Sequence, residues 1–273
     1  MGASLIRIGT SLAWDDGPGK SSGEPSPVPP DADKEYRRLA SSLEFYHQVS
    51  CKFGYGVVLP YLRVHVDDNP TGESGDRSGV GDIRGYLVWS PWAPEAAAMA
   101  PFLSLENIHF GLGVSLPTAY DRPASEPVGR DGQLGSGSID LRFGVTYWGY
   151  ITPNWCAFAN TSIVLDTGYD VSGYRNSPSY SLRIGGGWLP IPEAQLYLSF
   201  RTNYSGKNLS EPEPDGVDAD SGGNFLYFAP GFVVKPLANV LIDFAVSLPL
   251  YHRVNGSQVL PGNTLSFGVS YKW

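Results

Sequence analysis

The chain has 273 residues, a formal net charge of −8, 13% aromatic residues and only 17% charged residues. Its 33 glycines and 23 prolines are too dense for a long helical bundle, and its aromatic and β-branched content is too high for disorder. The acidic balance argues against nucleic acid as a partner, and two cysteines, Cys51 and Cys156, are too few for a disulfide scaffold or a four-ligand zinc site.

No stretch approaches the ~20 apolar residues of a membrane-spanning helix. A spanning strand needs only ~9–11 residues, and only every second one must be apolar. The opening residues Met1 to Arg7 contain no signal-peptide core. The chain is therefore either cytoplasmic or has had a leader removed.

Taken in order, alternating runs cover 3–14, 35–46, 52–65, 82–92, 102–118, 138–149, 155–169, 179–189, 195–205, 224–234, 240–251 and 263–273. The last is the clearest. One face carries Leu265, Phe267, Val269, Tyr271 and Trp273, and the other Thr264, Ser266, Gly268, Ser270 and Lys272. Period two of this kind marks a strand with one apolar and one polar face. Connections are short at His47–Cys51, Tyr150–Asn154, Pro190–Ala194 and Lys235–Asn239, and longer near Ala93–Pro101. They are long at 15–34, 66–81, 119–137, 170–178, 206–223 and 252–262. Short turns on one rim and long loops on the other predict an all-β, transmembrane up-and-down antiparallel β-barrel of about twelve strands, a single domain over residues 1–273. An even strand number puts both termini at the short-turn rim.

The aromatic residues sort with this plan. Trp89, Trp92, Trp148, Trp155, Trp188 and Trp273 fall near the short-turn rim, and Tyr61, Tyr120, Tyr169, Tyr204 and Tyr251 near the other. Aromatic girdles are expected at both edges of a membrane band. Gly56-Val-Val-Leu-Pro60, Gly113-Val-Ser-Leu-Pro117 and Ala245-Val-Ser-Leu-Pro249 echo one another near the upper strand ends, where proline is tolerated. The loops are acidic: segments 15–34 and 66–81 each sum to −3, and 206–223 to −4. Residues 21–30 and 210–223 have the composition of mobile segments.

If the apolar face meets lipid, the other lines a lumen. Strand phase places Arg7, Glu44, Lys52, Asp82, Arg84, His109, Asp140, Arg142, Asp166, Arg183, Arg201, Asp243 and Lys272 inside. Asp82-Ile-Arg84 and Asp140-Leu-Arg142 share a D-x-R pattern, whose i, i+2 spacing puts both charges on one face. Such charges either form a transverse field at a constriction or pair as salt bridges that fill the interior of a small barrel. His47, His65, His109 and His252 are scattered and suggest no metal site, and Cys51 and Cys156 read as independent thiols. No serine–histidine pattern marks a lipid hydrolase. Asp67-Asp68 reads as a solvated turn before Asn69-Pro70. The expectation is a protein that is not an enzyme and needs no cofactor.

The run Gly79-Val-Gly-Asp-Ile-Arg-Gly-Tyr-Leu-Val-Trp89 resembles the G-L-G-D hairpin entry of the meta-pathway phenol-degradation transporter family. Gly56-Val-Val-Leu-Pro-Tyr61, Gly111-Leu-Gly-Val-Ser-Leu-Pro-Thr118 and Leu134-Gly-Ser-Gly-Ser-Ile-Asp140 are similar to further motifs of that family. So are Leu226-Tyr-Phe-Ala-Pro-Gly231 and Leu248-Pro-Leu-Tyr251, in the same order over roughly 50–273. The resemblance implies an outer-membrane barrel passing small, often aromatic or apolar compounds. It carries over no catalytic residue. Ile139 stands where tryptophan is frequent, and Trp273 where the terminal residue is more often phenylalanine. Phe267, Val269, Tyr271 and Trp273 also resemble the C-terminal signal read by the barrel-assembly machinery.

The sequence therefore points to a bacterial outer-membrane channel for passive uptake or efflux of small solutes. The rival from another class is a closed structural barrel that docks a partner at its loops or periplasmic rim. Expected partners are outer-membrane lipid and lipopolysaccharide, the assembly machinery and a small-molecule solute. Gating, with no plug ahead of the first strand, would fall to inward folding of loops 119–137 or 206–223.

Overall fold

The structure is a computed structural model and describes residues 3–19, 34–68, 73–93, 103–119, 133–170, 173–210, 216–218, 221–256 and 258–273. Residues 21–30, residues 120–132 with Tyr120, and 211–215 and 219–220 within 210–223 lie outside the described residues. Twelve antiparallel strands form the wall. They are β1 (Ser4–Gly19), β2 (Lys34–Gln48), β3 (Phe53–Asp68), β4 (Ile83–Trp89), β5 (Ile108–Leu116) and β6 (Asp140–Thr152). The second half is β7 (Trp155–Asp166), β8 (Ser179–Ile191), β9 (Ala194–Ser205), β10 (Gly223–Leu237), β11 (Val240–Val254) and β12 (Thr264–Lys272). Each pairs with its chain neighbours, and β1 also pairs with β12, so the sheet closes. Closure leaves no strand edge, which a hydrocarbon environment demands because it offers no water to unpaired N–H and C=O groups. The seam is sealed at its end by Ser4 N to Trp273 O (3.1 Å) and Trp273 N to Ser4 O (3.0 Å).

All twelve alternating runs correspond to wall strands. Their outward side chains, such as Ile8, Leu43, Val57, Leu87, Leu112, Phe143, Ile184, Leu198 and Phe267, are exposed. Their inward neighbours mix small, polar and charged residues with rings such as Tyr46, Tyr86, Phe158 and Tyr197, whereas a water-soluble fold would turn its apolar face inward. The short turns lie where the sequence places them, between β2 and β3, β6 and β7, β8 and β9, and β10 and β11. Pro249 sits at a register shift opposite Tyr227, as a residue without an N–H should.

Three differences from the sequence reading have physical causes. Segment 66–81 is not an open loop: β3 runs on to Asp68 and pairs with a further strand, Glu73–Val80, that extends the wall above the membrane. The run 102–118 begins with a 3-10 turn, Leu105–Asn107, capped by the Ser104 hydroxyl, and only then becomes β5. Trp148 is at the short-turn rim, but it shares register with inward Phe158 and packs edge-on against Tyr150 (4.5 Å), so it belongs to the lumen and not to the girdle. The girdle itself is visible in Trp155 stacked on Trp188 (6.3 Å) and Tyr271 on Trp273 (6.1 Å), with Tyr180 beside Tyr204 (6.0 Å) at the other edge.

Candidate functional site: the barrel interior

Register sets which inward side chains meet. One row runs Arg7, Glu44, Val58, Arg84, Ser115, Asp140, Asp166 across β1 to β7. Another runs Asn160, Arg183, Arg201, Tyr227 across β7 to β10. Inward glycines make room for rings. Gly56 separates Tyr46 from Tyr86 along one row, and the two rings stack over it at 6.3 Å. On the opposite wall a Cβ at Gly185 would run into Phe158, and one at Gly231 into Tyr197.

Several charges of the first row pair with charges in or beside it. Arg7 Nη1 lies 3.4 Å from Glu44 and Nη2 3.0 Å from Asp243, two strands away on β11. That second reach is possible because Gly268, on β12 between them, has no side chain: a Cβ there would meet both Asp243 and Arg7. Arg142 pairs with Asp140 (3.4 Å) and donates to Ser115 Oγ (3.1 Å), so one of the two D-x-R pairs is a local ion pair.

The other D-x-R pair is split. Asp82 precedes β4 instead of lying on it, and its carboxylate accepts from Ala119 N (3.1 Å), Ser136 N (2.7 Å) and Ser136 Oγ (3.1 Å). Asp166 similarly accepts from Ser138 Oγ, Gly168 N (3.3 Å), Asn176 N (3.2 Å) and Asn176 Nδ2 (2.9 Å). These two carboxylates are anchors for the segments 133–139 and 167–178 at the long-loop mouth. Leu134, only 5% exposed, packs on Gly79, so part of the 119–137 connection is folded inward. Loop anchoring of this sort depends on contacts between segments 54 residues apart, and no local motif announces it.

Arg183 and Arg201 differ from the rest. Their guanidinium groups lie over rings, Arg183 at 5.4 Å from Phe158 and 5.6 Å from Tyr197, Arg201 at 4.9 Å from Tyr227. Lys272 is inward by phase yet exposed at the short-turn rim. His109 bonds Ser90 Oγ at 2.6 Å, and Lys52 sits in the β2–β3 turn. Asp67 is on β3, facing outward beside His65 (3.1 Å), and not in a turn. Cys51 and Cys156 are both free thiols. Phe267, Val269 and Tyr271 share the outward face of β12, and Trp273 follows just past its end with its ring beside Tyr271.

An apolar groove crosses the outer face where Gly111, Gly144 and Ser162 stand in one row, bordered by Leu87, Leu112 and Phe143.

Comparison with solved structures places this architecture among outer-membrane barrels. The COG4313 outer membrane channel from Pseudomonas putida F1 superposes with a TM-score of 0.77 at 16% identity, covering 100% of this chain and 96% of that one. The β-domain of the Bordetella autotransporter BrkA gives 0.54 at 11% identity, covering 100% and 99%. The TodX monoaromatic hydrocarbon channel (a deltaS2 mutant) gives 0.50 at 11%, covering 99% and 89%. No curated protein sequence matches the chain. Residues 47–267 match the sequence family described as "Putative MetA-pathway of phenol degradation", and with most of its length inside that match the chain belongs to this family.

Proposed function

We propose that this protein is an outer-membrane channel through which small solutes, aromatic or apolar compounds among them, move passively. The observation that carries the reading is the inward face. Rows of charged and aromatic side chains line a closed twelve-strand wall whose outward face is apolar. Family membership supports it, as does the likeness to a barrel described as an outer membrane channel. In this reading Arg7, Glu44, Asp82, Arg84, Asp140, Arg142, Asp166, Arg183, Arg201, Asp243 and Lys272 face the solute path. Binding comes from the lining, and neither a cofactor nor a catalytic group enters.

The test is to refold the chain in detergent, verify the barrel by heat-modifiable gel mobility, and record conductance in a planar bilayer. Discrete openings are expected. Arg84→Glu with Arg142→Glu should then move the reversal potential toward cation selectivity, because two fixed cations become two anions in the same wall. An unchanged reversal potential in a conducting double variant removes both residues from the path. A folded but silent barrel would favour the rival reading, a closed barrel docking a partner at its loops or rim. The inward-folded segment around Leu134 gives that rival its structural support.

Lipid and lipopolysaccharide surround the apolar band in this reading. The assembly machinery takes hold of the outward stripe Phe267, Val269, Tyr271 and Trp273. Trp273 packs on Tyr271 and on Phe45 (6.2 Å), contacts worth about 0.5–1.5 kcal/mol each at most. Trp273→Ser should therefore leave refolding in detergent nearly unchanged, while lowering the assembled fraction in cells severalfold. Equal losses in both assays would make Trp273 a packing residue only.

A further inference from the structure

Two arginines face each other on the inner wall with nothing negative between them. Arg183 and Arg201 are register partners on β8 and β9. Like charges directly opposite across a strand pair are unfavourable. Arg7, Arg142, Arg37, Arg38 and Arg63 each have a carboxylate within 4.0 Å, but among the described residues neither Arg183 nor Arg201 does. No Asp or Glu stands on the described parts of β8, β9 or β10 at all. The pair is held instead by neutral groups. Arg183 Nε donates to Ser199 Oγ (3.0 Å), Arg201 Nη2 lies 3.1 Å from the Asn203 amide, and rings of Phe158, Tyr197 and Tyr227 lie under the guanidinium planes. Arg201 remains exposed to the lumen.

We infer that Arg183 and Arg201 form a binding site for the carboxylate of an aromatic monocarboxylate solute, a benzoate-class anion. The site rests on the channel reading for its access route, not for its chemistry. Two guanidinium forks side by side offer parallel N–H donors that match a planar carboxylate. Bridging them with one anion removes the repulsion that the register imposes. The phenyl body then lies against the Phe158, Tyr197 and Tyr227 rings. The acidic long connections 15–34 and 206–223, at −3 and −4, disfavour multiply charged anions at the mouth. A single charge on an apolar body fits both features.

Binding is measured by calorimetric titration of the refolded, heat-modifiable barrel in zwitterionic detergent, so it does not depend on conductance. The probes are benzoate, toluene, acetate and chloride. Benzoate is expected to bind saturably and more tightly than toluene or acetate. Its dissociation constant should rise about tenfold or more in R183M and in R201M, from loss of charge-assisted hydrogen bonds. R201K keeps the charge without the fork and should fall between. R201Q, at the lumen-exposed member, replaces R183M should that variant not form the barrel. Benzoate binding that is unchanged in both arginine variants overturns the site. So does benzoate binding no tighter than toluene, or chloride displacing benzoate at equal concentration, which would mean an inorganic-anion sink only. A silent barrel that still binds benzoate through these arginines refutes free conduction while leaving the site in place.

Discussion

Arg7→Met is expected to loosen the barrel at its closing seam. Arg7 stands on β1 and holds Glu44 on β2 and, across β12, Asp243 on β11. One side chain therefore ties four consecutive strands, including both that meet at the chain ends. Removing it leaves two carboxylates in a part-buried wall with no cation between them. Breaking a fully buried pair costs about 3–5 kcal/mol. Here the partners keep 25–33% side-chain exposure, so water repays part of that and about 1–3 kcal/mol is the expected loss. It should appear as a lower temperature for loss of the folded gel band. Adding Glu44→Gln and Asp243→Asn to Arg7→Met should recover most of it, since the orphaned charges disappear. Gly268→Ala should mimic Arg7→Met in part, because its methyl would stand where Arg7 and Asp243 meet. Arg7→Met melting at the parent temperature would show that backbone pairing alone secures the seam.

The twelve wall strands were legible because lipid imposes an apolar outer face on every strand, while the inner face carries the charges, the small residues and a set of rings. The pattern misleads where the wall leaves the membrane. Above Tyr61, β3 keeps its alternation but exchanges its polarity. Arg63, His65 and Asp67 now face outward, joined to Arg37 and Asp76 by ion pairs at 3.1–3.9 Å. Val64 and Val66 face inward, buried with Tyr36 in an apolar cluster. Water outside and packing inside reverse the rule, so a charged strand reads as a loop. The interior contacts were hidden for another reason. Strand phase gives the face of a side chain but not the height of its neighbour. Arg183 beside Arg201, and Arg7 reaching Asp243 over Gly268, follow from cross-strand register, which is fixed by closure of the whole ring. Asp82 reads as the first inward residue of run 82–92 but precedes β4, and its partners Ala119 and Ser136 come from a long connection whose path no periodicity describes.

That anchor makes the mouth testable. Asp82 accepts three hydrogen bonds from the segments it clamps, two of them from backbone N–H groups. Asparagine can present one acceptor oxygen where the carboxylate presents two, so at least one part-buried donor loses its partner. A lost acceptor of this kind costs about 1–3 kcal/mol. At about 2 kcal/mol, the ratio of closed to open positions of the 133–139 segment shifts by about 30-fold. Asp82→Asn should therefore raise the conductance or the frequency of openings in a planar bilayer, with the barrel itself intact by gel mobility. Leu134→Ala should act in the same direction, since it removes the apolar contact that seats the segment on Gly79. Asp166→Asn, which frees the neighbouring 167–178 segment, tests whether the two anchors work as one. If they hold a single lid, the double variant Asp82→Asn with Asp166→Asn will gain less than the sum of the separate free energies, because an already opened segment has nothing left to release. If Asp82→Asn folds and conducts as the parent does, the segment is a rim decoration and the narrowest point lies deeper, among the arginines and rings of β8 to β10.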